Sequence, residues 1–386
     1  MSGLLAGVRV LELSRILAGP WAGQVLADLG AEVIKVENPD GGDDTRSWGP
    51  PFVTDAEGAA IDDLSAYFLA ANRGKRSVRV DLSRPEGQAQ VRRLAAACDV
   101  VIENFKVGGL VKYGLDYASL KALNPTLVYA SITGFGQTGP YAHRAGYDFM
   151  IQGLGGLMSL TGQPDGEPVK VGVALIDVLT GLYTAIGVLA ALHHARAHGE
   201  SHYLDVALLD VQVASLANQA LNYLVSGRAP ARLGNSHPNI VPYQAFATAD
   251  GHLILAVGND GQFARFVQVA GRPELADDPR FASNPARVAH RDLLVPLLAD
   301  LLKTRPSRDW LAALEAVGVP AGPINAMDEV FADPQVAARG LKLERRLDDG
   351  TPLPGVALPF CVDGRRPQAE GAPPRLGQHD ALLHGV

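Results

Sequence analysis

The chain predicts an α/β fold built on a parallel sheet, and three observations carry that reading. Over the first 135 residues, strand-like apolar runs alternate with helix-period segments. The joins are punctuated, with Gly30 closing one helix and Pro85 opening another. The first run, Val8–Leu13, is apolar enough for a strand covered on both faces.

In order, the expected elements are a strand at Val8–Leu13, a helix at Trp21–Leu29 and a strand at Glu32–Glu37. A strand at Ser77–Leu82, a helix from Pro85 to Ala97 and a strand at Val100–Glu103 follow. A helix through Tyr117–Leu123 and a strand at Leu127–Ile132 complete the alternation, which builds a parallel sheet covered by helices. Its ligand crevice should lie past the carboxyl ends of the strands, where Ser14–Pro20, Asn38–Arg46, Asn104–Gly109 and Thr133–Gly139 converge.

Residues 145–170 read as glycine-rich turns, and long helices are expected at about 178–198 and 205–226. The stretch 227–239 shifts to Pro, Gly, Asn and Arg, a linker and mobile loop. A smaller α/β unit should follow, with Tyr243–Thr248 and Leu253–Val257 paired across Ala249-Asp250-Gly251 and helices around 260–270, 287–303 and 307–317. Short strands follow Pro320, with a hairpin signal at Asp348-Asp349-Gly350-Thr351. The expected division is 1–205 for the N-terminal part of a large domain, 206–235 for a linker helix and loop, 236–319 for a small α/β domain, and 320–386 for a segment returning to the large one.

At 386 residues, 47% hydrophobic and 19% charged, the chain has ample material for two cores. A net charge of −7 and the lack of a long basic run argue against nucleic acid as a partner. The first residues lack the layout of a secretory signal. The least polar run, 171–192, contains Asp177 and three glycines, so it reads as a core helix and no membrane is expected. Two cysteines, Cys98 and Cys361, suggest reduced thiols and a cytoplasmic protein, with Cys98 in core packing. No CxxC, HExxH or Cys/His cluster appears, so no metal site is expected.

The most informative residue is Asp177, a carboxylate set where an apolar, glycine-punctuated run turns into a nearly uncharged helix. At a helix start its side chain lies near unpaired N–H donors, which favours the ionised form, while apolar neighbours exclude water. A dry, ionised, positioned carboxylate suits an Asp nucleophile; a plain helix cap is the duller alternative. Basic residues gather in the crevice loops: Arg46, Arg73, Lys75, Arg76 and Lys112, with Lys106 nearby, and together they suit an anion such as phosphate. His237, in Gly234-Asn-Ser-His-Pro238, is a weaker catalytic candidate. Ser14-Arg-Ile-Leu-Ala-Gly-Pro20 is not GxGxxG, and Gly153-Leu-Gly155-Gly156 lacks a preceding strand, so the Rossmann-like pattern carries no dinucleotide site. Small residues at Ala18-Gly19-Pro20 would still let a ligand approach backbone closely.

These pieces, in this order, resemble the family III CoA transferases, the formyl-CoA-transferase-like enzymes. The stretches that carry the likeness include Leu17-Ala-Gly-Pro, Leu29-Gly-Ala-Glu-Val-Ile-Lys-Val-Glu, Gly42-Asp-Asp-Thr-Arg46 and Asn72-Arg-Gly-Lys-Arg-Ser77. Val101-Ile-Glu-Asn-Phe105, Gly146-Tyr-Asp-Phe149, Asp177-Val-Leu-Thr-Gly181 and Gly318-Val-Pro-Ala-Gly-Pro323 continue it, so the likeness spans the chain. Residues 234–246 look most like the branch that uses succinyl-CoA with glutarate or a related dicarboxylate.

The resemblance implies a nucleophilic Asp177, with CoA along Ile16, Leu17 and Ala18. Asn72, Arg73, Lys75, Asn104, Phe105 and Lys112 would line the nucleotide and pantetheine path, and Arg46, Phe135, Tyr147 and His237 would face the acyl substrate. Asn38, Thr133 and Phe135 stand where the formyl-CoA enzymes carry Arg, Lys and Tyr; Arg46 or Arg73 are the candidates to compensate at the phosphates. It also implies CoA and acyl-CoA as substrates with no tightly bound cofactor, small carboxylic acids as partners, and an interlocked homodimer. A racemase of the same family would need a His at the slot filled here by Tyr147, and Tyr is a weak neutral-pH base with a pKa of about 10. The remaining alternatives are a nicotinamide oxidoreductase and a non-catalytic CoA-binding protein.

Overall fold

The computed structural model describes residues 3–55, 57–347 and 349–384. The chain divides into two compact units, the first comprising residues 1–157, 170–226 and 334–386, the second 158–169 and 227–333.

The first unit is built on six strands: β1 (Arg9–Glu12), β2 (Glu32–Glu37), β3 (Arg76–Arg79), β4 (Val100–Glu103), β5 (Val128–Thr133) and β6 (His202–Ala207). Their order is β3-β2-β1-β4-β5-β6, and every neighbouring pair is parallel. Successive side chains face opposite sides of a strand, so the apolar runs feed two cores. Val10, Val33, Val100 and Ile102 join one core with Leu26 of α1 (Ala18–Asp28). Leu11, Ile34, Val78 and Val101 join the other, with Val91 and Leu94 of α2 (Pro85–Ala96). The strand order reverses between β1 and β4, and a crevice opens beyond their carboxyl ends at such a reversal.

Three further helices shape that crevice: α3 (Asp148–Leu154), the 24-residue α4 (Leu175–His198) and α5 (Leu208–Ala214). Gly181 sets the close approach of α4 to α1, in that a side chain there would meet the Ala18 carbonyl oxygen at 2.7 Å. One side of α4 is buried through Ile176, Thr180, Thr184 and Val188, whereas Leu182, Tyr183 and Ile186 on its other side are exposed. Helix α4 is long and apolar enough to span a membrane by composition, yet it packs into the core of this unit through its buried side.

The structure departs from the sequence expectation in several places. The helix expected at 205–226 is edge strand β6 followed by α5 and α6 (Ala217–Ser226), because His202–Ala207 pairs in register with Val128–Thr133. Residues 158–169 group with the second unit, where Arg232 donates to the Gln163 and Gly166 carbonyls and Gly234 N–H to Gly162 O. Residues 320–333 also belong to that unit, so the return to the first begins near Pro334. Lys342–Arg346 pairs antiparallel with Pro352–Val356 around the expected turn, of which Asp348 lies outside the described residues.

In the second unit, β7 (Tyr243–Ala247) and β8 (His252–Ala256) form the expected hairpin, closed by Thr248 N–H to Gly251 O at 2.9 Å. The strand Ala321–Pro323 adds to the other edge of β8. Helices α7 (Asp260–Val269), α8 (Arg291–Leu302) and α9 (Ser307–Ala316) bury Phe263, Phe266, Leu298 and Trp310 beneath this sheet.

Candidate active site

A cavity of about 940 Å³ opens where the strand order reverses in the first unit. That volume is at the upper end for sites that take small molecules. Its walls are Arg15–Ala18 after β1, Asn104–Gly109 after β4, Ile132–Gly134 at the end of β5, and the loop 142–147. Two of these walls are tied together, since Arg15 donates its N–H to Asn104 Oδ1 at 3.0 Å and Asn104 Nδ2 donates to the Arg15 carbonyl at 2.8 Å. Glu103 accepts the Phe105 N–H at 2.7 Å, and burial pushes its carboxyl up to about 7. Gly134 and Gly146 touch backbone to backbone, for a side chain at Gly146 would meet the Gly134 Cα at 2.4 Å.

Asp177 sits in the first turn of α4 and is half-buried. Among the described residues, it alone contributes a carboxylate to the cavity lining. The sequence reading has the helix N–H groups favouring its ionised form, but those donors are already taken. Asp148 Oδ1 accepts the N–H of Ile176 at 2.7 Å and that of Asp177 at 3.4 Å. Asp148 is itself fixed by Gln152, whose Nε2 donates to Oδ2 at 2.6 Å and whose Oε1 accepts the Val171 N–H at 2.9 Å. The Asp177 carboxyl is therefore pushed up to about 7, first by burial and then by the charge of Asp148. The phenol of Tyr67 shares this neighbourhood, pushed up to about 12 by burial and by Asp177 and Asp148.

Eight of the expected site residues line this cavity: Asp177, Ile16, Leu17, Ala18, Asn104, Phe105, Lys112 and Tyr147. Four others do not, and their polar groups are spoken for. Arg46 is fully buried, paired with both oxygens of Glu37 at 2.7 Å, donating to the Pro374 carbonyl and lying over Phe68. Arg73 is paired with both oxygens of Asp28 and donates to Val356 O. Lys75 is held by Glu12, Pro20 O and Asn72 Oδ1. Asn72 in turn donates to Phe68 O at 2.9 Å. These four lie outside the lining of this cavity, their polar groups engaged within the first unit. Phe135 packs against the core and edge-on to Tyr141 at 5.7 Å rather than lining the cavity. His237 belongs to the second unit, where its Nδ1 accepts the Asn239 N–H.

Sequence reasoning gave no role to Asp148, and it missed Arg15, His143 and Arg144 in the cavity wall. The Gly146-Tyr-Asp-Phe149 motif pointed at Asp148, but nothing local shows that its oxygen reaches a helix 28 residues on. With Lys106 and Lys112, Arg15 and Arg144 give the cavity a positive lining suited to an anionic ligand.

The sequence model of CoA-transferase family III matches residues 5–380. The chain is 58% identical over 379 residues to the succinate–glutarate CoA-transferase of Agrobacterium fabrum, covering 98% of this chain and 94% of that one. It is 43% identical over 380 residues to the human succinyl-CoA:glutarate CoA-transferase, covering 97% and 84%. The crystal structure of a CAIB/BAIF family protein from Brucella suis superposes with a TM-score of 0.87 at 54% identity, covering 100% of this chain and 99% of that one.

Proposed function

Because this chain belongs to CoA-transferase family III, we propose that it moves CoA from succinyl-CoA to glutarate or a related dicarboxylic acid through Asp177. The observation that carries this reading is the Asp177 carboxylate, the acid that the described residues contribute to a large cation-lined cavity. Relatives named for succinate and glutarate support the choice of acids.

The Asp177 carboxylate attacks the thioester carbonyl and expels CoA thiolate, leaving a mixed anhydride. The thiolate then attacks the Asp177 carbonyl, releasing succinate and leaving an aspartyl-CoA thioester. An acceptor carboxylate attacks that thioester, expelling the thiolate and forming a second anhydride. The thiolate takes the new acyl group, and Asp177 is restored. Each step exchanges one activated acyl bond for another, which a serine ester would not permit. Hydrolysis of any intermediate would be irreversible, so the half-buried setting of Asp177 matters.

CoA lies along Ile16–Ala18 and Asn104–Phe105 in this reading, with Lys112 among the cations near its phosphates. Tyr147, on the cavity wall, faces the acyl group. The exposed apolar side of α4 (Leu182, Tyr183, Ile186) and of α6 (Leu221, Leu224, Val225) supports a homodimer, interlocked as the family resemblance implies. Two free cysteines, one buried, fit a reducing cytoplasm.

The test is incubation with succinyl-CoA and a panel of free acids, read by mass spectrometry of the new CoA esters. Borohydride added during turnover should reduce the activated acyl group at Asp177. A label on another residue, or full transfer by Asp177→Asn, would reject this function.

A further inference from the structure

Between β1 and α1 the chain turns at a residue ill-suited to the turn. Ile16 has φ +73°, in the left-handed region that β-branched side chains disfavour. Its N–H is gripped from below, with both carboxylate oxygens of Asp43 at 3.2 Å. Asp43 is buried and held on every side. It accepts the Thr45 N–H at 3.0 Å and the Thr45 hydroxyl at 2.7 Å, donates its own N–H to Glu37 at 2.9 Å, and pairs with Lys35 at 2.8 Å. Lys35 also bonds Glu12 and the Ser14 carbonyl, each at 2.9 Å. Asp43 and Lys35 thus tie the strained turn to β1 and β2.

What this turn sets is the wall Arg15–Ala18, and that wall bears on Asp177. The Ala18 carbonyl rests against Gly181, one turn beyond Asp177 on α4. Asp43 itself is not among the residues lining the Asp177 cavity. We propose that Asp43 is a positioning residue: it holds Ile16 left-handed and so fixes the cavity wall against which the acyl-CoA meets Asp177. The proposal rests on the function proposed above, and its test is arranged to fail separately.

The test is a double-mutant cycle on the full-length enzyme with Asp43→Asn and Ile16→Gly, reading kcat and KM for transfer from succinyl-CoA. Asp43→Asn should lower kcat/KM by about 10- to 100-fold, the scale expected of a misplaced site wall. Glycine adopts a positive φ freely, so with Ile16→Gly present the same substitution should cost only about threefold or less. Equal losses in the two backgrounds, with all four proteins folded by circular dichroism, would overturn the proposal. A purely structural role for Asp43 gives that additive result. Should Asp43→Asn fold only alongside Ile16→Gly, the link between the two is upheld. Should it fold in neither background, Asp43→Ser keeps an oxygen for the Thr45 N–H, gives up Ile16 and is read in the same cycle. Asp177→Asn is assayed in parallel. If it retains transfer, both readings fall; if it is dead and the cycle is additive, only the role of Asp43 does.

Discussion

Asp148 takes the place at the start of α4 that would otherwise ease the charge of Asp177. Its Oδ1 lies 2.7 Å from the Ile176 nitrogen and 3.4 Å from that of Asp177. The helix end thus stabilises one carboxylate while the other, in the cavity, bears the cost of burial. A poorly solvated carboxylate with a raised pKa is a stronger nucleophile than an exposed one.

Replacing Asp177 separates chemistry from binding. Asp177→Asn should reduce transfer by at least about 10³-fold and leave CoA-ester affinity within a few-fold. Isothermal titration and turnover assays check the two halves. The same variant should also be more stable at pH 8. A carboxyl raised from 3.8 to about 7 binds its proton more tightly folded than unfolded, so the wild type loses stability as pH rises through that window. The asparagine escapes this loss, by about 1–2 kcal/mol after discounting for partial exposure. Urea unfolding at pH 8 should show the gain, and at pH 3.5 it should vanish.

The free enzyme should need Asp177 ionised, so kcat/KM should climb with pH through about 7 and then level off. Glu103 titrates in the same range, which makes the identity of the limb a fair question. Asp148→Asn answers it. Removing that charge should move the limb to lower pH, whereas a limb owned by Glu103 should stay in place. The variant should also lose about 1 kcal/mol of stability with its helix contact weakened.

Arg46→Ala should act on the fold and not on substrate recognition. It leaves Glu37 buried without its bidentate partner, an arrangement that costs about 3–5 kcal/mol. Protein that remains folded at low temperature should keep its KM for the acceptor acid. A selective rise in that KM, with the unfolding midpoint unchanged, would return Arg46 to the substrate.

Gly146→Ala should damage the site through backbone alone. Its new methyl would press on the Gly134 Cα at 2.4 Å, so the loop 142–147 must shift away from β5. We expect about 1–3 kcal/mol of destabilisation and a fall of about tenfold or more in kcat/KM, read by thermal unfolding and initial rates.

Much of the fold was legible because its signals are local. Val100–Glu103 is a strand to the residue, since an unbroken apolar run between a helix end and a loop has few other uses. His202–Ala207 was missed because it lies at the sheet edge with alternate side chains exposed, and its pattern ran on into the helices behind it. The site divides in the same way. Ile16–Ala18 and Asn104–Phe105 could be placed because strand order fixes where loops converge. Arg46 and Lys112 look alike in sequence; only the buried Glu37, brought up from β2, tells a brace from a cavity cation. The state of Asp177 was misread for the same cause, a partner supplied from far along the chain.

The reciprocal bonds between Arg15 and Asn104 join the segments that follow β1 and β4 into a single rigid lip. A bulky thioester entering between them cannot prise them apart without breaking both bonds together. The loop 142–147, on the same cavity wall, meets the end of β5 where the backbone of Gly146 lies against that of Gly134.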